Sequence, residues 1–205
     1  MDITQTITLA LIQGLTEFLP VSSSAHLVIL PKFLDWPDQG LAFDVVLHFA
    51  TLCAIIFYYR SSLIVISKDF FGSIVSRKLQ GESMLAWAIL LGTIPVGLAG
   101  LFFKDAIELN LRSYQVVAFA TIFFGLLLGF SDWIHGFLAR PRNFIRGSDI
   151  LIVGCFQAVA LIPGTSRSGI TITAALLIGL SRSLSIKFAF LLSIPVIALA
   201  TLLKT

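Results

Sequence analysis

Charge is what this sequence has least of. Asp, Glu, Lys and Arg make up 12% of its 205 residues, about half the share usual in soluble domains, and mean hydropathy is +0.97. A chain so poor in charge is excluded as an ordinary soluble protein and reads as an integral membrane protein. Regular polar–apolar alternation is also missing, which excludes a β-barrel and leaves helices, whose backbone groups are satisfied within each segment. Cysteine is scarce: Cys53 and Cys155 stand alone in apolar runs without a CxxC pair or a neighbouring His, excluding a disulfide framework or zinc site. The net charge of +3 is small and spread over loops, against any nucleic-acid partner. No Lys or Arg precedes Lys32, so the N-terminus lacks the basic flank of a cleavable signal and is expected to stay in the mature protein.

What is present is a series of apolar runs. Leu41 to Tyr59, Met84 to Phe103, Tyr114 to Phe137 and Leu184 to Leu203 are each long enough to cross about 30 Å of hydrocarbon as a helix. Two further regions, Ile3 to Leu34 and Ser148 to Leu180, are broken by Pro20 and by Pro163-Gly164, each followed by hydroxyl residues. Each half has roughly 10 to 15 residues, too few to span, so both regions read as re-entrant helix hairpins. Arg60, Lys68, Arg77 and Lys78 in one loop, Arg140, Arg142 and Arg146 in another, and Arg182 with Lys187 mark the cytoplasmic side by the positive-inside rule. The first hairpin then enters from outside, the second from the cytoplasm, and their tips can meet.

A shift of 143 residues places Pro20 on Pro163, Ser22 on Thr165, Ser23 on Ser166 and Leu41 on Leu184. The fold class expected is an all-α polytopic bundle with two re-entrant hairpins in an inverted-topology repeat. It forms a single membrane domain: residues 1–137 are the first repeat, and residues 148–205 begin the second, whose last two spans are expected beyond residue 205. Asp44 and Lys187 are equivalent under the shift, and either pair across the pseudo-twofold axis or mark span ends.

The polar residues gather at the two breaks. Gln13 and Glu17 share a helix face, and a carboxylate at bilayer depth is a functional-site hypothesis by default. After Pro20, Ser22, Ser23 and Ser24 sit where a second helix starts and can receive an anion; His26 lies within the next turn. His48 and His135 have no such company and read as ordinary core residues. In "PGTSRSG", Gly164 and Gly169 permit close backbone approach. Thr165, Ser166 and Ser168 offer hydroxyls, and Arg167 a planar fork suited to phosphate. The next helix is expected to start near Ile170. Arg167 either binds a phosphate group or simply neutralises Glu17. No Gly-Lys-Ser/Thr of a Walker loop and no GxGxxG occurs.

"QGLTEFLPVSSSAH" and "PGTSRSG" resemble the two signatures of the undecaprenyl-diphosphate phosphatase family of the BacA, bacitracin-resistance type, and the resemblance covers the whole chain. It implies hydrolysis of undecaprenyl diphosphate to the monophosphate and inorganic phosphate, recycling the lipid carrier for cell-wall synthesis. The family's functional serine matches Ser23, its histidine His26, and its phosphate-binding arginine Arg167, with Ser166 before it. Its acidic motif reads Gln13 and Glu17 here, so one carboxylate, not two, is offered to a divalent cation. Members tend to be longer by about two spans, as the unfinished repeat also requires.

Read together, the catalytic candidates are Glu17, Ser23, His26 and Arg167, with Gln13, Ser22, Ser24, Gly164, Thr165, Ser166 and Ser168 binding substrate. Mg²⁺ or Ca²⁺ is the expected cofactor, held at Glu17 through hard oxygen ligands. Glu17 binds metal or orients the nucleophile, His26 is general acid or base, and the nucleophile is Ser23 or a metal-bound water. The expected partners are a polyprenyl diphosphate lipid and bilayer lipids in a bacterial inner membrane, and a homodimer is compatible with the sequence. The alternative is a transporter or flippase of a polyprenyl phosphate lipid, since broken helices in inverted repeats also build carriers.

Overall fold

Asp2 accepts a hydrogen bond from the Gln5 N–H at 2.7 Å while the Gln5 side chain accepts from the Asp2 N–H at 3.1 Å. This reciprocal cap starts helix α1, Ile3–Thr16. The computed structural model describes residues 2–111 and 113–204, with side chains at all of these except 41, 104, 105, 108–110, 203 and 204. It is all-helical. After α1 come α2 (Ser23–Phe33), α3 (Leu41–Tyr58), α4 (Arg60–Ser76), α5 (Ser83–Asn110), α6 (Tyr114–His135), α7 (Gly147–Val159), α8 (Arg167–Leu177) and α9 (Arg182–Lys204).

Helices α5, α6 and α9 are long and apolar enough to cross a membrane, making this a multi-pass membrane protein. The stretch from Arg60 to Lys78, read from its charges as a loop, is corrected in large part: Arg60–Ser76 forms α4, bent 76° from α3, and Arg77 and Lys78 lie beyond its end. The basic residues obscured an apolar face. Ile66 and Phe70 pack against the core, Phe70 lies 4.9 Å from the Trp87 ring of α5, and the Trp87 indole N–H donates to Ser73 Oγ at 3.2 Å.

The four hairpin helices have 14, 11, 13 and 11 residues, well below the 20 or so a span requires. Shifted by 143 positions, α1, α2 and α3 fall on α7, α8 and α9 to within three residues at every end. Helix α8 begins at Arg167, three residues before the expected start, because the Ser166 hydroxyl caps it by accepting from the Gly169 N–H at 3.2 Å.

The core lies where α5, α7, α8 and α9 meet, around Val153, Ala174, Phe188, Leu191 and Leu192, all fully buried. Close approach of α5 and α7 depends on Gly154, where a Cβ would lie 2.8 Å from the Gly92 carbonyl oxygen. Polar ties gather the basic regions at one end of the bundle. Arg182 bonds to Asp132, Lys187 to Glu82, and Arg142 to Asp149 and to the Ile178 carbonyl. At the opposite end Lys32 of α2 reaches the Tyr114 hydroxyl of α6. The open ends of the two short helix pairs thus lie at opposite ends of the bundle. Asp44 and Lys187 do not pair: Asp44 accepts from Gln39, and Lys187 donates to Glu82.

Candidate active site

Helix α1 ends one turn after Gln13, with Glu17 as its cap, and Pro20 lies in the turn beyond. Glu17 is 6% exposed, and its carboxylate is surrounded by donors. Arg167 bonds to Oε1, while Oε2 accepts from Ser23 Oγ at 2.5 Å and from the Gln13 amide N–H at 2.8 Å. His48 Nε2 stands 3.6 Å from the same oxygen. A buried carboxylate is tolerated only when paired and hydrogen-bonded, and here both hairpins supply the donors. Contact between the tips extends beyond this pair, since the Ser168 hydroxyl donates to the Leu19 carbonyl at 3.2 Å.

The second hairpin is shaped by Gly164. Its φ is +93°, and a Cβ there would run into the Val117 carbonyl of α6. The Thr121 hydroxyl bonds to the Gly164 carbonyl at 3.0 Å, holding the turn against α6. Arg167 is the first residue of α8, so its guanidinium and the N-terminus of that helix act in the same region, a site suited to an anion. In the first hairpin Ser22 takes a left-handed φ of 57°, strained for a residue with a side chain.

Glu17, Ser22, Ser23, Ser24, Thr165, Ser166 and Arg167 line one cavity of about 180 Å³. Gly164 lines a smaller crevice behind it with Pro20 and Thr121, and Gln13 reaches the site through its bond to Glu17. His26 is exposed and outside the cavity lining. Its Nδ1 is 2.9 Å from the Ser22 carbonyl, which only accepts, so Nδ1 carries the proton.

The reading of His48 as an ordinary core residue is corrected, and Thr201 was not singled out by the sequence at all. His48 lines the cavity from α3, oriented by Nδ1–H donation to the Asp44 carbonyl at 2.7 Å. Thr201 lines it from α9. An imidazole one turn after Asp44 in a largely apolar span was the signal for His48, and only packing of α3 beside the first hairpin gives it meaning. A single threonine in α9 carries no signal at all.

The residues present do not fit a resident divalent cation. Both Glu17 oxygens are engaged by donors, the Arg167 guanidinium adjoins the site, and no cluster of three or more His, Cys, Asp or Glu occurs among the described residues. The buried Oε1 of Gln13 is unpartnered but lies outside the cavity lining, so it adds no oxygen there.

The family described as "Bacitracin resistance protein BacA" matches residues 6–205. The chain belongs to the BacA family. One BacA relative, named undecaprenyl-diphosphatase, from Vesicomyosocius okutanii, is 57% identical over 203 residues, covering 99% of this chain and 77% of the relative. Another, named undecaprenyl-diphosphatase 2, from Stutzerimonas stutzeri, is 56% identical over 207 residues, covering 100% of this chain and 77% of the relative. A third, named undecaprenyl-diphosphatase, from Campylobacter concisus, is 53% identical over 200 residues, covering 98% and 75%.

Proposed function

We propose that this BacA-family chain hydrolyses undecaprenyl diphosphate to undecaprenyl phosphate and inorganic phosphate, recycling the lipid carrier of cell-wall synthesis and conferring bacitracin resistance. One observation carries the mechanism: Ser23 Oγ is 2.5 Å from Glu17 Oε2, with Arg167 on the other carboxylate oxygen. The family and its relatives' names support the substrate.

In this reading the incoming diphosphate draws the Arg167 fork from Glu17 onto the terminal phosphate. Glu17, relieved of its counter-charge, becomes a better base and takes the Ser23 proton. Ser23 Oγ bonds to the terminal phosphorus, the bridging P–O bond breaks, and polyprenyl phosphate leaves with that electron pair. Water then attacks the phosphoserine, giving inorganic phosphate and restoring the hydroxyl. Arg167, the N-terminus of α8 and the hydroxyls of Ser22, Ser24, Ser166 and Ser168 stabilise or position the charge, the pattern of phosphoryl transfer. The general acid or base role expected of His26 is open also to His48, whose imidazole lines the cavity and adjoins Glu17. No step is assigned to Mg²⁺ or Ca²⁺.

The two short helix pairs are, in this proposal, re-entrant hairpins of an inverted repeat in the bacterial inner membrane, with the first open to the outer face. Domain limits of 1–137 and 148–205 follow from that repeat. The prenyl chain lies between helices on the lipid side, where apolar contacts bind without measuring chain length. Translocation of a polyprenyl phosphate lipid has no observation in its favour.

Phosphate release from undecaprenyl diphosphate by the purified chain in detergent, where no compartments exist, is the test. Release lost in Ser23→Ala, together with labelled phosphate trapped on Ser23 in the parent chain, is the expected result; release without turnover-dependent labelling of Ser23 points to direct attack by water. His26→Ala and His48→Ala in the same assay decide between the two imidazoles.

A further inference from the structure

Most helical threonines buried in this chain bond back to their own helix. Thr51, Thr93, Thr121, Thr171 and Thr173 each donate the hydroxyl to a backbone carbonyl three or four residues back, at 2.7–3.0 Å. That bond satisfies a hydroxyl that lipid and packed side chains cannot. Two threonine hydroxyls are left without such a bond: Thr201 Oγ1 within α9 and Thr165 Oγ1 in the turn before α8 are buried without a hydrogen-bond partner among the described residues. Both line the 180 Å³ cavity. Thr201 sits inside α9, one turn after Ile197, and its hydroxyl makes no bond back to that carbonyl. Leaving a buried hydroxyl unpaired is costly, and buried polar groups without partners are rare enough to require a reason.

Among the described residues the other buried unpaired side-chain atoms belong to Gln13, His135 and Gln157, none of which lines the cavity. The cavity therefore contains the two free hydroxyls, and they come from different elements: the turn before α8, and the outer stretch of α9. Its serine hydroxyls each have a partner within the protein, which a substrate phosphate would have to share or replace. Ser23 faces Glu17, Ser22 and Ser24 face each other at 3.4 Å, and Ser166 caps α8.

A diphosphate presents two phosphates to this cavity, and Arg167 with the N-terminus of α8 serves the one beside Ser23. We propose that Thr165 and Thr201 donate hydrogen bonds to the second, the phosphate that stays on the lipid, which makes Thr201 a substrate-binding residue outside both hairpins. Phosphate oxygens accept and hydroxyls donate, so the match needs no change of protonation. The inference rests on the diphosphate-hydrolase reading above, and adds to it a subsite for the product headgroup.

The test uses Thr201→Val, which keeps the shape and removes the donor, and Thr201→Ser, which keeps the donor. Phosphate release from undecaprenyl diphosphate by the purified full chain in detergent is measured with inhibition by undecaprenyl phosphate and by inorganic phosphate. The valine variant is expected to raise KM about five- to tenfold, the worth of one neutral hydrogen bond, with kcat within about twofold. Inhibition by undecaprenyl phosphate weakens by the same factor and inhibition by inorganic phosphate is unchanged, while the serine variant behaves as the parent. A valine variant indistinguishable from the parent overturns the inference, as does a serine variant equally impaired, or loss of inorganic phosphate inhibition instead of lipid phosphate inhibition. If Thr201→Val fails to purify as a monodisperse species, Thr165→Val carries the same expectation and the same overturning results. A parent chain that neither binds nor cleaves the diphosphate overturns the hydrolase reading itself, an outcome distinct from a cleaving parent with an unaffected valine variant.

Discussion

The two hairpins share a register and little else. Helix α8 buries Ser168, Gly169, Ile170, Thr171, Thr173, Ala174, Ala175 and Leu176, whereas α2, of equal length, buries Ser23, Ala25, Leu27 and Pro31. Helix α5 lies along α7 and α6 along α8; among the described residues no helix covers the first hairpin in that way, and α1 leaves Ile3, Ile7, Leu11 and Leu15 exposed along one face. That stripe recurs every fourth residue, so it is a single face, well suited to lipid or to a further helix. The chemistry is divided as unevenly. Under the 143-residue shift Glu17 corresponds to Ala160, and Arg167 to Ser24. The acid and the candidate nucleophile sit on the barer hairpin, the permanent cation on the enclosed one. The two turns sit in matching register, and the difference in their side chains makes them one site.

The largest effects should come from breaking that division. Arg167→Ala and Glu17→Ala are each expected to lower phosphate release by about 10³-fold or more, the scale of losing a charge that stabilises a transferred phosphoryl group. Reversing the pair, Glu17→Arg with Arg167→Glu, should restore much of the thermal stability lost in either reversed single variant, yet leave turnover absent. Recovery of turnover in the double variant would mean that the pair only ties the hairpins together.

Next is the pair of turn residues Gly164 and Val21, equivalent under the shift. Gly164→Ala should cost about 2–4 kcal/mol, combining a left-handed backbone with overpacking against Val117. Val21→Ala, 41% exposed, should change stability by less than about 0.5 kcal/mol. Similar melting-temperature shifts for the two in detergent would erase the contrast between an enclosed and a bare hairpin.

The hairpins also differ where they begin. Asp2 caps α1 on an exposed surface, while buried Asp149 of α7 accepts two bonds from Arg142, at 2.8 and 3.2 Å, and one from the Arg146 N–H at 2.8 Å. Burial pushes the Asp149 carboxyl up, but the hydrogen bonds and charges of both arginines prevail and hold it below the ordinary carboxylate range. A lowered folded value means that Asp149 adds stability above the unfolded pKa of about 3.9, and that this contribution is lost as pH falls through the folded value. Asp149→Asn should cost about 2 kcal/mol at neutral pH and remove that part of the acid sensitivity; Asp2→Asn, which keeps a cap, should do neither. Thermal melts from neutral to acidic pH check both.

The smallest expected effect is at Ser22, whose left-handed φ sits one residue before Ser23. Ser22→Gly should stabilise by up to about 1 kcal/mol by relieving strain. Measured unfolding that shows clear destabilisation would assign the Ser22 side chain a structural role.

Much of this was legible in advance. Pro20 and Pro163-Gly164 interrupt apolar runs, and each announces a helix pair because proline and a left-handed glycine stop a helix locally. Glu17 and Arg167 stand out because ionisable groups in apolar surroundings need a reason. Helix α4 was not legible: Arg60, Lys68, Arg77 and Lys78 mimic a loop, and its buried face is defined by Trp87 on another helix. The start of α8 was misplaced because the Ser166 cap looks, in sequence, like one more hydroxyl of the turn.

By itself the sequence determined the membrane class, the two broken helices and the residues of their tips, since hydropathy and helix-stopping chemistry act over a few neighbouring residues. The tertiary structure alone decided what those tips face. It placed His48 against Glu17 and filled both carboxylate oxygens with donors from two hairpins. It also turned Thr201 into the cavity, because contacts between residues 150 positions apart are set by how helices pack in space, and no local pattern encodes them.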